Sequence, residues 1–270
     1  VMVLFLGLAV STKWSGLYFA VIFGALMLYW DLKRRTKDGD IENWSLKDVF
    51  PSLLMPLTIV AIYIASWIGW FKSSVGWGRT WGDTNNLGIL PSSLASLINY
   101  HKDMWHFHTT LTTPHSYQAN PWGWPLMLRP TSFFYETANT CGSASCSQEV
   151  IPLGNPLIWW VGVLALILML ALAVNRRFSA SLPIIAAFIA GWVPWLFFTK
   201  RTVFNFYSVV FIPYTVMALA ILLYFLNTKI RSKFPVEKRW PAIVFLVLVA
   251  ALTAYFYPLY VAGSISYDYW

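Results

Sequence analysis

Leu157-Ile-Trp-Trp-Val-Gly-Val-Leu-Ala-Leu-Ile-Leu-Met-Leu-Ala-Leu-Ala-Val174 runs for eighteen residues without a charge. A buried strand is usually only about 5–6 residues long, whereas a helix needs roughly 20 apolar residues to cross a bilayer. Blocks of the same kind occupy approximately residues 1–30, 51–71, 181–198, 203–226 and 241–262, each bounded by charge or by Pro/Gly clusters. Backbone polar groups have no water to bond in lipid, so such segments must be helical, and they lack the ten-residue alternation of a membrane barrel. Composition agrees: the chain of 270 residues is 58% hydrophobic and only 11% charged, against roughly 25% charged for a soluble domain. The expected fold is an all-α polytopic membrane protein with six crossings. The first block is interrupted by Ser11-Thr12-Lys13-Trp14-Ser15-Gly16, and reads either as one long tilted helix or as a broken pair.

The basic residues orient these spans. Segments 31–50, 175–180 and 227–240 hold twelve Lys and Arg in 40 positions, whereas 71–156, 199–202 and 263–270 hold six in 98. The first set is expected to be cytoplasmic. The net charge of +8 is then mostly a topology signal, and no nucleic-acid partner is expected. The expected division is residues 1–71 with a cytoplasmic loop at 31–50, an external segment 72–156, a four-span bundle 157–262 and an external tail 263–270. Val1 opens directly in apolar sequence without an initiator methionine or a basic leader, and reads as the inside of a longer chain.

The external segment is too aromatic for disorder and too long for a plain connection. From about 92 to 113, Leu94, Leu97, Ile98, His101, Met104, Trp105, His108 and Leu111 recur every three or four positions, as on an amphipathic helix lying in the membrane interface. Pro114 closes it, and Pro121, Pro125 and Pro130 are expected to hold Trp122-Gly123-Trp124 in an extended course. All four histidines, at 101, 106, 108 and 115, lie here. His101 and His108 would stand about 10 Å apart by helical rise, too far to share a metal ion. Individual histidines then read as phosphate or hydroxyl contacts or as ordinary interfacial aromatics. Cys141 and Cys146 are the only cysteines; in an oxidising compartment they would form a disulfide, and otherwise remain two thiols.

Lys13 is the sharpest single feature, because a charge inside an apolar stretch is costly unless paired or solvated. It reads either as a cation for an anionic headgroup or as a snorkelling residue near a helix end. Lys200 and Arg201 form a second basic spot, with Asn205 and Tyr207 just beyond; Arg201, Asn205 and Tyr207 could turn a guanidinium, an amide and a phenol to one ligand. The chain has no Gly-rich phosphate loop, no nucleophile triad and no internal repeat. The external carboxylates Asp83, Asp103, Glu136, Glu149 and Asp268 form no pair suited to a general base.

Four ordered motifs carry a resemblance: Gly7 to Gly16 around Lys13-Trp14; Pro114-His115-Ser116-Tyr117-Gln118 followed by Pro121-Trp122-Gly123-Trp124-Pro125-Leu126; Leu153-Gly154-Asn155-Pro156 before Trp159-Trp160; and Arg201-Thr202-Val203-Phe204-Asn205-Phe206-Tyr207. Together they resemble the protein O-mannosyltransferases, most of all the actinobacterial ones. The resemblance implies a GT-C-class membrane enzyme of about eleven spans, with its C-terminus external. It would move mannose, with inversion, from polyprenyl-phosphate-mannose to Ser or Thr of exported proteins at the outer face of the plasma membrane, with secretion machinery as a further partner. The family's acidic Asp-Glu pair belongs to its N-terminal half, and no residue here matches it. Lys13 and Arg201 match donor-phosphate positions, and His101, His115, Tyr117, Asn205 and Tyr207 match substrate-binding ones. Eukaryotic relatives carry His-His-Tyr where this chain has Asn205-Phe206-Tyr207, so only the tyrosine carries over. No metal ligand is expected, and the need for a divalent cation stays open. Two other readings are a non-catalytic membrane scaffold and a lipid or solute transporter.

Overall fold

The first apolar block is a broken pair in the computed structural model, with α1 over Met2–Thr12 and α2 over Gly16–Asp38. Lys13 leaves the helix in an extended conformation, and the Gly16, Leu17 and Tyr18 amides bond the carbonyls of Lys13, Trp14 and Ser15 to start the second helix. The corner requires glycine at 16, where a Cβ would stand 2.7 Å from the α1 backbone at Ala9 and Val10. Residues 1–38, 46–85, 88–138, 141–142, 145–233 and 240–267 are described. The middle of the expected cytoplasmic loop 31–50, part of the basic stretch 227–240, Asp268 and the end of the tail 263–270 lie outside them. The chain divides into two compact units, Val1–Thr112 and Thr113–Trp270.

In the first unit α1 packs on α3, Leu46–Ser66, burying Leu6 and Val10 against Met55 and Ile59. Two short helices follow, α4 at Ile68–Lys72 and α5 at Trp81–Thr84. Helix α6, Ser92–Thr110, is the expected amphipathic helix and ends nearly one turn before the expected limit at 113. Its side chains sort differently from a single apolar stripe. Ala95, Ser96 and Leu97 are buried, whereas Leu94, Ile98 and Trp105 are exposed by 41%, 51% and 63%. The stripe therefore splits into an edge held by the unit and an edge left bare, as suits a helix that also meets lipid.

The second unit carries α7 at Pro156–Val174, α8 at Ser181–Trp192, α9 at Ile212–Lys233 and α10 at Trp240–Phe256. Helices α7, α8 and α9 pack together around Leu166, Met169, Ile185, Phe188 and Phe211, and α10 lies against α9 with none of its residues buried. Among the described residues four helical stretches are long and apolar enough to cross a membrane: Gly16–Thr36, Leu54–Lys72, Pro156–Val174 and Trp240–Tyr260. The other expected spans are shorter apolar helices, Ser181–Phe197 and Ile212–Thr228. The block that begins at 203 turns helical late because Asn205–Val210 forms a 3₁₀ turn.

One local expectation is corrected, and one feature is added to the expected helices. Pro121–Leu126 is a 3₁₀ turn instead of an extended run. The Asn120 side chain accepts from the Trp122 amide, and Pro121 stands where a helix has no use for an N–H. Three indoles fasten it, with Trp159 donating to the Trp124 carbonyl, Trp160 to Leu126 and Trp192 to Pro121. Alongside the helices there is also a small antiparallel sheet, ordered β1 (Phe134–Ala138), β2 (Cys146–Val150) and β3 (Ile265–Ser266). Phe134 pairs with Val150, Ala138 with Cys146, and Cys146 with Ser266. A disulfide joins Cys141 to Cys146 in the hairpin. The Tyr135 and Tyr267 hydroxyls meet beside it, and that bond holds the Tyr135 phenol above its ordinary range.

Candidate functional site

In the first unit the α1–α2 corner exposes Lys13 and turns the next residue, Trp14, into an aromatic cluster. The Trp14 Nε1–H donates to the Tyr63 hydroxyl at 2.9 Å, and that hydroxyl lies 2.7 Å from His101 Nε2. His101 Nδ1 lies 2.7 Å from the Leu97 carbonyl oxygen. A carbonyl only accepts, so Nδ1 carries the proton, and the neutral ring's Nε2 accepts from Tyr63. The imidazole is also packed against Trp14, Tyr63 and Trp67, with ring centroids 5.7, 5.6 and 5.1 Å away. Both nitrogens of His101 are thus engaged within the protein. This geometry ties His101 to the α1–α2 corner through Tyr63 and Trp14.

The second unit places the segment 113–120 beside 199–204. The Ala119 amide donates to the Val203 carbonyl at 2.9 Å, and the Thr202 hydroxyl donates to Thr113 O. A pocket of about 440 Å³ opens there, with His115, Gln118, Asn120, Arg129, Thr199 and Arg201 as its polar lining. His115 Nδ1 accepts from the Tyr117 amide at 3.1 Å, which leaves Nε2 as the protonated nitrogen of the neutral ring. The Arg201 guanidinium lies over the Trp195 indole, 5.7 Å from its centroid, a cation–π arrangement that steadies a long side chain. No carboxylate is among the described residues that line the pocket. Guanidinium, imidazole N–H, amide and hydroxyl donors without an opposing carboxylate form a lining suited to an anion.

Of the residues expected to act, His115 and Arg201 share this pocket. Tyr117 contributes its amide to His115 and does not line it. Asn205 and Tyr207 do not line it either, because the 3₁₀ turn Asn205–Val210 carries them inward. Asn205 is 2% exposed, and Tyr207 packs between the rings of Trp124 and Trp195 at 5.8 and 5.0 Å. Sequence reasoning missed Arg129, Gln118 and Asn120. The signal for Asn120 was readable, since Asn before Pro is a common way to begin a helical turn. Among the described residues no group of three or more His, Cys, Asp or Glu side chains is placed to hold a metal ion.

Comparison with known proteins gives a consistent family. Residues 93–267 match the C-terminal four TMM region of protein-O-mannosyltransferase. The polyprenol-phosphate-mannose–protein mannosyltransferase of Corynebacterium glutamicum is 34% identical, over 80% of this chain and 45% of that protein. The enzyme of the same name from Mycolicibacterium smegmatis is 31% identical over 98% of this chain and 54% of its own length. The chain spans about half the length of the curated relatives it matches. The Saccharomyces cerevisiae protein O-mannosyltransferase Pmt1-Pmt2 complex bound to the sugar donor superposes with a TM-score of 0.50 at 18% identity. The match covers 65% of this chain and 25% of that chain, a likeness of fold that agrees with the expected GT-C-type helix bundle. By the profile match and by these relatives, the chain belongs to the protein O-mannosyltransferase family.

Proposed function

We propose that this chain is the C-terminal part of a membrane glycosyltransferase that moves mannose from polyprenyl-phosphate-mannose to Ser or Thr hydroxyls of exported proteins, with inversion at the sugar carbon. The observation that carries the proposal is the donor-lined pocket around Arg201 and His115, in a chain of this family. Arg201 would bind the phosphate of the donor and stabilise the charge that develops on it as the sugar leaves. Lys13 is proposed on separate grounds, its exposed place at the α1–α2 corner and its match to the family's lysine, as a second contact for a lipid phosphate. The general base is assigned to the acidic pair of the family's N-terminal half. The protein would be a multi-pass plasma-membrane enzyme with its pocket and C-terminus on the external side, supported by the distribution of Lys and Arg.

The test uses membranes containing the full-length protein, a polyprenyl phosphate carrying labelled mannose, and a Ser/Thr-containing acceptor peptide. The expected result is labelled peptide whose glycosidic bond has the opposite anomeric configuration to the donor. Membranes that bind donor and peptide but leave the peptide unlabelled would favour a scaffold and overturn the reading.

A further inference from the structure

Arg129 is absent from the motifs that carry the resemblance, yet it shares the wall of the Arg201 pocket. The backbone that puts it there is unusual. Met127 and Arg129 have φ of 58° and 60°, a left-handed conformation that residues with a Cβ rarely adopt. The reversal follows the 3₁₀ turn, with the Met127 amide bonded to the Trp124 carbonyl and the Leu128 amide to that of Gly123, each at 3.0 Å. It swings the side chain back over the preceding segment, where Arg129 Nη2 donates to the Ser116 carbonyl at 2.7 Å, next to His115. Glycine or asparagine would hold such a turn more easily. An arginine kept there at a conformational cost points to work done by its guanidinium, and one bond to Ser116 uses one of five N–H donors.

Resting on the proposed mannosyl transfer, we infer that Arg129 is a second phosphate-binding cation of this pocket, and that it selects the phosphate monoester released by transfer over the mannosyl phosphodiester that enters. The reasoning is one of charge. In the reaction the bond from sugar C1 to the phosphate oxygen breaks, and its electron pair stays on that oxygen. A bond from C1 to the acceptor oxygen forms, and the hydroxyl proton leaves with the base. The diester carries one negative charge, whereas the monoester produced has a second ionisation near pH 6 and carries nearly two at neutral pH. One guanidinium can answer the diester with a forked pair of bonds. The second gains most when the second charge appears, so its contribution grows along the reaction.

The experiment measures equilibrium binding to the full-length protein in lipid nanodiscs, without acceptor, using polyprenyl phosphate and its mannosyl and methyl phosphodiesters of the same chain length. The parent protein should bind the monoester about tenfold or more tightly than either diester. Arg129→Gln should bring that preference to within about threefold of unity, chiefly by weakening the monoester, and Arg129→Lys should keep most of it. Equal binding of all three ligands by the parent overturns the inference without any variant, so a glutamine variant that fails to fold leaves it testable. Equal weakening of monoester and diesters by Arg129→Gln, or complete loss of preference in Arg129→Lys, also overturns it, the last by assigning the effect to the turn and not to the charge. Failure of the parent to bind any of the three would instead sink the proposed transferase reading.

Discussion

Around His101, a phenol and a backbone carbonyl take up both ring nitrogens; around His115, one nitrogen accepts from the Tyr117 amide and the residue walls a 440 Å³ pocket with Arg129 and Arg201. Both histidines lie in the same aromatic segment, 72–156, and sequence alone offers the same roles for each. The difference is what their neighbours leave over. Near His101 the donors and acceptors of Trp14, Tyr63 and Leu97 match one another in a chain, which satisfies polar groups that a low-dielectric boundary would otherwise penalise. Near His115 the lining is rich in donors and has no carboxylate among its described residues, which suits it to an anion. A saturated polar cluster holds structure, and a lining of one polarity around open space binds something.

The strongest way to break this contrast is to remove charge from the pocket. In the full-length protein, Arg201→Gln is expected to lower mannosyl transfer about 10²- to 10³-fold, the scale found for losing one preorganised donor to a developing oxyanion. The thermal unfolding midpoint should change little, since the amide can still lie on Trp195. Transfer within threefold of the parent would remove Arg201 from the chemistry.

Lys13 tests whether the other region also touches the reaction. Neutralising it by Lys13→Ala should reduce transfer about tenfold, equivalent to roughly 1.4 kcal/mol, with a smaller effect on folding. A rate within two- or threefold of the parent would leave Lys13 as a snorkelling residue. This outcome would sharpen the contrast, because the whole Lys13 corner would then be structural.

How far the sequence reached follows the range of the interactions involved. The apolar blocks 51–71, 157–174 and 241–262 became membrane-length helices because span length and lack of charge are local properties. The corner at Lys13 was visible as an interruption, and Gly16 supplies the reason it bends. By contrast, the 3₁₀ turn at Pro121–Leu126 depends on indoles from Trp159, Trp160 and Trp192, more than 30 residues away. The sheet escaped notice because β1 and β2 are short and β3 comes from the far end of the chain. In the pocket, His115 and Arg201 were legible as types and positions. Asn205 and Tyr207 were placed beside Arg201 by spacing on an assumed α-helix, and the 3₁₀ turn sends them into the core. Arg129 gave no signal, since nothing in Leu128-Arg129-Pro130 announces a left-handed backbone.

The smallest expected effect on activity belongs to the cluster that is already satisfied. Tyr63→Phe keeps the ring but deletes the oxygen that accepts from Trp14 and donates to His101. An indole N–H and an imidazole nitrogen are then left without their partner in a half-buried aromatic setting, a loss of about 1–3 kcal/mol. The unfolding midpoint of the full-length protein in detergent should fall by several degrees. Well below that midpoint, transfer should stay within about threefold of the parent, and binding of polyprenyl phosphate should be unchanged. A hundredfold loss of transfer at an unchanged midpoint would mean that His101 needs Tyr63 for chemistry after all. The two histidines would then belong to one class, and the distinction between a saturated cluster and an open lining would no longer identify the site.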